Sequence, residues 1–479
     1  MSKRTGGVVA LVGMCALSLF LLNCGSSSNR PAGLLYVISQ AQSSVASYSV
    51  DLNSGALSFI NSNATTCTTL TGSNPATCGL AVSMLLDPTG ATALVLNQGV
   101  PDGLTTQTST CLFPPCGILP TIYPYSVNSD GSLAAPGTAV TWVDPQDNDT
   151  AATMVSDPAA NLLFVMNQGT NPLPANCPHQ PTPINSQHPN GDPNDACPSI
   201  SVFTTQSGPT SLTLTGNDCI ERSGPCPYRL GSFPTAMSVL TFTPPNGGTT
   251  ETLLFVTSNK DLTSNHNDNE LSVFLVDSSG NLTPQLSPDG LPYTTLPNPG
   301  AVQAVNTNAP PQTTGGVFVY VGSQGSGSGS VSAFALCTVV GSQGNGGNNC
   351  TQQQVNSNLL ISIGTPSGAG NTPAAMLVDP TNNFLYVVSS GSNQIFGFQI
   401  STGTGVLRPL SPASLPTGAH PVALAMHTSS NALDNFIYTS NSTGESITGF
   451  AASTTAGQLS TSTSTTLFTP GLPSGMAAR

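Results

Sequence analysis

The sequence predicts an all-β chain folded as one seven-bladed β-propeller with four-stranded blades, closed by its own C-terminal strand. Three observations predict it: a strand hairpin recurring at constant internal spacing, a second turn signature downstream of it, and a terminal segment that matches the start of the hairpin. Long self-similar β units of this kind mark propeller blades.

The hairpin is plainest in residues 87–99, 157–169 and 379–391. In each, an apolar strand (82–86, 152–155, 374–378) leads into an Asp-Pro turn at Asp87, Asp157 or Asp379, and a β-branched or aromatic strand then ends in a polar loop. Asp bonds its own backbone and Pro presets φ, so the pair stops one strand and reverses the chain. The second signature, Gly-x-Leu after a short polar turn, occurs at Gly55, Gly131, Gly280, Gly405 and Gly457. Each unit is therefore a meander of strands A to D. Strands B to D of a first blade run from Leu34 to Ile60, and further blades open near Leu80, Ala152, Pro234, Pro299, Pro373 and Pro421. The first blade lacks strand A. Pro473-Ser-Gly-Met476 resembles Pro373-Ala-Ala-Met376 and Pro234-Thr-Ala-Met237, so the terminal segment is expected to supply it and remove the open sheet edges.

Residues 1–23 read as a signal peptide: Lys3 and Arg4, then an apolar run from Val8 to Leu22 that is too short to span a bilayer. Cys24 follows Leu21-Leu22-Asn23 where that run stops, which resembles the lipobox of bacterial lipoproteins and implies acylation of Cys24; Asn23 departs from the small residue usual there. Residues 24–33 are then a linker to the lipid anchor, and 34–479 the propeller.

Only 6% of residues are charged, and Gly (48) and Pro (41) stay below the share that marks disorder in a chain of 479. Solubility falls to Ser, Thr, Asn and Gln. Without the leader, six basic residues stand against 21 acidic ones, a net −15 that opposes binding to nucleic acid or anionic lipid. A monomer is expected.

Ten cysteines remain after Cys15 and Cys24. They fall into local couples: Cys67 with Cys78, Cys111 with Cys116, Cys177 with Cys197, Cys219 with Cys226, and Cys337 with Cys350. An even count in an exported chain is expected to form five disulfides. Irregular spacing and the lack of any C-x-x-C pair argue against zinc. No metal and no cofactor is expected.

In such a meander the A–B and C–D turns share one face, and the B–C and D–A connections share the other. The long connections (98–120, 168–198 and 215–233) and four of the five cysteine couples fall on the B–C/D–A face, as a binding surface on a rigid ring would. Candidate chemistry there is sparse. His420 and Arg229 precede strands A of blades 7 and 4, Arg222 lies in the Cys219 to Cys226 loop, and His266, Asp268 and Glu270 crowd one B–C loop, where His266 and Glu270 are an acid–base candidate. His427, near the end of a strand A, reads as a structural histidine. The oxygen-rich segments 144–149 and 188–195 lack EF-hand spacing and read as turns.

The pattern from Asn383 to Phe398, and from Phe436 through Asn441 to Phe450, is similar to the YVTN-type and lactonase-like seven-bladed propellers, a group that includes the cycloisomerase-type 6-phosphogluconolactonases. These motifs build blades, so they bear on fold more than on activity. Two functions stand open. The first is a cell-envelope module binding a protein, glycan or small ligand on its B–C/D–A face. The resemblance implies the second, a lactone hydrolase; there His420 and Arg229, both at D–A junctions, are expected at one end of the axial channel, His420 as base toward water and Arg229 steadying the oxyanion. The scarcity of basic residues favours a neutral sugar-type lactone over a phosphorylated one.

Overall fold

The computed structural model of the chain describes residues 33–41, 44–64, 80–98, 120–141, 151–168, 199–205, 212–214, 233–244, 249–259, 269–288, 292–307, 316–338, 359–428, 434–461, 467–468 and 471–479, apart from 158, 160 and 326. They form seven antiparallel sheets, each with strand order A-B-C-D. Strands A of blades 2 to 7 are Ala81–Leu86, Ala151–Asp157, Pro234–Phe242, Pro299–Asn306, Pro373–Val378 and Pro421–His427. Strand A of blade 1 is Pro473–Ala478, which pairs with strand B of that blade, Gly33–Ser39. The expected closure is present. Each strand A lies against the next around the ring, so the seven inner edges enclose the axis. In blades 2, 4 and 7 strand D is broken, its second piece (Val140–Thr141, Tyr293–Thr294, Leu467–Phe468) returning to pair with strand C.

The core lies between blades rather than inside one. Seven apolar clusters each join one neighbouring pair; Leu35, Val37 and Met476 of blade 1, for instance, pack on Phe436 and Tyr438 of blade 7. Alternating strand residues face opposite neighbours, as a period of two requires. A second tie explains the Gly-x-Leu signature in four of the blades. The hydroxyls of Tyr36, Tyr320, Tyr386 and Tyr438, each in the middle of a strand B, donate to the carbonyls of Gly131, Gly405, Gly457 and Gly55, in the C–D turn of the following blade, at 2.8 Å each. Burial raises the phenol pKa of Tyr320, Tyr386 and Tyr438 far above its ordinary value, so these donors stay protonated. Glycine is required at the acceptor. Gly405 has φ +68°, and a Cβ there would come within 2.3 Å of the Phe318 ring; Gly457 and Phe384 repeat the arrangement with φ +64° and 2.2 Å.

The Asp-Pro turns hold through their carboxylates. Asp379 accepts from the N–H groups of Asn383 (2.9 Å), Phe384 (2.7 Å) and Thr381 (3.1 Å), and Asp87 accepts from that of Thr92 at 2.7 Å. At the seam, buried His427 bonds through Nδ1 to the main-chain oxygen of Arg479 and presses on Gly33, where an added Cβ would lie 2.9 Å from its ring. It is a closure residue, as the sequence suggested.

Candidate functional site

The mouth of the axial channel on the B–C/D–A face is built by one device repeated around the ring. All seven strands A carry a β-bulge next to their first residue, placing an extra residue against strand B: Val82, Ala152, Thr235, Gly300, Ala374 and Val422 in blades 2 to 7, and the Ser474-Gly475 step in blade 1. A bulge bends its strand and turns a side chain away from the ladder. The residue just before strand A adopts the left-handed conformation in five blades: Phe233 (φ 57°), Asn298 (54°), Thr372 (56°), His420 (58°) and Leu472 (51°), each followed by proline. Its carbonyl accepts an N–H from the residue that follows strand B of the same blade, as in Asn259 to Phe233 (3.1 Å), Ser390 to Thr372 (2.9 Å) and Gln40 to Leu472 (3.3 Å).

His420 sits in this ring and is exposed. Its N–H donates to Oδ1 of Asn393, the residue before strand C of blade 6 (Gln394–Ile400), at 2.7 Å. Asn269 holds the N–H of Asn298 in the same way, at 2.9 Å. Ser442 lies over the imidazole: its N–H donates to the His420 carbonyl at 2.9 Å, its hydroxyl donates to the same oxygen at 3.1 Å, and its Oγ is 2.9 Å from Nδ1. The Oγ contact occupies Nδ1 and leaves Nε2 turned away from Ser442. Nε2 has no protein partner among the described residues. The result is a solvent-accessible imidazole held at Nδ1, with Nε2 available to a hydrogen-bonding ligand.

Of the other residues singled out by sequence, Glu270 opens strand C of blade 4 (Glu270–Val276), half-buried and paired with Ser258 and Thr294. Strands A and B of its blade stand between it and the axis. Arg222, Arg229, His266, Asp268, Cys24 and the segments 144–149 and 188–195 lie outside the described residues. So do nine of the ten cysteines expected to pair. Cys337 is fully buried and disulfide-bonded, with its expected partner Cys350 outside the described residues. Arg408 stands on the outer strand D of blade 6, and Arg479 donates to the carbonyl of Gly90 (3.2 Å) in an A–B turn, on the opposite face from His420. No cluster of three metal-ligating side chains occurs among the described residues. Sequence reading missed Ser442, Asn393 and Asn269. The recurring Asn before strand C, in Asn269-Glu270 and Asn393-Gln394, was the available signal.

No protein-family model matches the chain, and no curated protein matches it significantly in sequence. Solved structures do. A candidate 6-phosphogluconolactonase from Bacteroides fragilis aligns at a TM-score of 0.57 with 12% identity over 95% of this chain and 99% of its own. A second, from Bacteroides uniformis, aligns at 0.55 with 13% identity over 93% and 99%. The periplasmic gluconolactonase PpgL of Pseudomonas aeruginosa aligns at 0.54 with 15% identity over 93% and 98%. At these identities the likeness establishes the fold, and the resemblance read in the sequence holds at that level.

Proposed function

We propose that this chain is an exported propeller, anchored in the cell envelope through acylated Cys24 and stapled by the five local disulfides, that binds a small neutral ligand at the channel mouth on its B–C/D–A face. The observation that carries the reading is the exposed His420 imidazole, held by Asn393 and Ser442 in a ring of bulged strands. A protein or glycan partner on the same face is the competing occupant. Thermal-shift titration of the mature chain against neutral sugars, lactones and glycans tests the reading. A ligand that stabilises wild type but not His420→Ala supports it, and stabilisation unaffected by that substitution counts against it. Globomycin that leaves the precursor at its original size would remove the lipid anchor from the proposal.

Lactone hydrolysis is the second reading, favoured by the exposed Nε2 of His420 and by the name of the Pseudomonas protein. His420 Nε2 takes a proton from water as its oxygen bonds the lactone carbonyl carbon. Collapse breaks the ring C–O bond, and the proton returns to the departing alkoxide, giving a hydroxy acid. Arg229 is assigned to the oxyanion. Hydrolysis of glucono-δ-lactone that His420→Ala and Arg229→Ala each reduce at least about 100-fold is the expected result. Background activity in wild type leaves the binding reading.

A further inference from the structure

The residues that precede the strands A are not equivalent in chemistry. Blades 5, 6 and 7 place Asn298, Thr372 and His420 there, whereas blades 1 and 2, which are neighbours in the ring, place Leu472 and Leu80. Both leucines are strongly exposed, 43% and 47%, and they are two of only four large apolar side chains so exposed among the described residues. The half-buried bulge residues Val422 and Val82 flank them in blades 7 and 2. Exposed apolar residues therefore stand before strand A in two adjacent blades, the first of which is next in the ring to the blade that carries His420.

Leu472 also occupies this place at a cost. Its φ is +51°, a region where Asn is tolerated and bulky side chains are rare, and where Asn298 stands in blade 5. An exposed leucine gains little by burial, so neither packing nor backbone preference explains it. Strain kept at an accessible position points to use by a ligand.

We propose that the mouth takes an amphipathic neutral ligand, its hydrogen-bonding head, such as a lactone or hydroxyl group, on His420 and its alkyl portion across Leu472 and Leu80. This rests on the channel-mouth binding reading above and narrows its ligand from a bare sugar to an alkyl-bearing molecule. The probes are γ-butyrolactone and its γ-alkyl homologues up to γ-dodecalactone, with glucono-δ-lactone as the comparator without an alkyl chain, measured by calorimetry on the mature protein. Affinity is expected to rise about threefold to fourfold per methylene along the first several members, then level off. The double variant Leu472→Asn, Leu80→Ser should flatten that series, with any glucono-δ-lactone affinity in place and a melting temperature no lower than that of the wild type. An alkyl series already flat in the wild type, with glucono-δ-lactone bound, overturns this inference alone. Binding of neither class to the folded wild type overturns the channel-mouth reading with it. A chain-length dependence that survives the double variant places the alkyl group elsewhere and overturns the assignment to Leu472 and Leu80.

Discussion

Blades 5, 6, 7 and 1 differ from blades 2, 3 and 4 in how each is fastened to the next. In the first group a tyrosine of strand B reaches the C–D glycine of the following blade. In the second the equivalent residues are Leu94, Phe164 and Phe255, which bury the same position without a hydroxyl. The B–C connections divide the same way: four to six residues in blades 5, 6, 7 and 1, against 23, 31 and 11 in blades 2, 3 and 4. The ring is thus cross-tied by polar contacts on one side and carries its large loops on the other. Local regularity is kept where the sheets must register, and relaxed where chain is spent on surface.

The comparison can be broken most forcefully at a tied glycine. Gly405→Ala would impose a left-handed alanine and push Cβ into Phe318, costing about 3 kcal/mol in urea unfolding. A loss under about 0.5 kcal/mol would show that the turn is not fastened as described. Tyr386→Phe, which gives blade 6 the chemistry of blades 3 and 4, should cost about 1–2 kcal/mol by orphaning the buried Gly457 carbonyl. The reciprocal Phe164→Tyr, which packs in one cluster with Leu282 beside the Gly280 turn, should gain up to about 1 kcal/mol. No gain would mean that the two halves differ by more than a hydroxyl.

A pH titration tests the seam at which the tied half closes. Burial holds the His427 imidazole below its ordinary pKa of 6.5, outweighing the bond to Arg479, and its Nε2 is buried without a partner. The unfolded chain therefore binds the proton more readily. Stability should be level above about pH 6.5 and fall as pH drops from there through the depressed folded value, and His427→Gln should remove that slope. The smallest effect is expected at the mouth. His420→Asn places a residue that tolerates positive φ, so melting should stay within about 0.5 kcal/mol of wild type while ligand response is lost. Lost stability would recast His420 as structural.

Strand order, blade number and closure were readable because they rest on local turn chemistry: Asp87, Asp157 and Asp379 stop strand A, and Gly-x-Leu marks the tyrosine's acceptor in blades 1, 2, 6 and 7. His420 could be placed at the mouth from topology alone. Its partners could not, since Ser442 and Asn393 come from a different turn and a different blade. Leu80 and Leu472 stayed hidden for a related reason. They lie near opposite ends of the chain and become neighbours only when the ring closes, and an exposed leucine carries no sequence signal. Arg229, His266 and Glu270 were chosen as charged residues on the correct face. Glu270 shows the weakness of that choice, because face does not determine distance from the axis.

The seven bulges have an evolutionary meaning. A bulged residue lies outside the ladder pairing, so Ala374 and Val422 can be exchanged without moving a ladder bond, whereas Gly300 cannot, because a Cβ there would lie 2.6 Å from the Pro373 carbonyl oxygen of the next blade. The rim can therefore vary blade by blade only where the neighbouring blade leaves room, and a saturation library is expected to keep folded protein at Ala374 and Val422 and to lose it at Gly300.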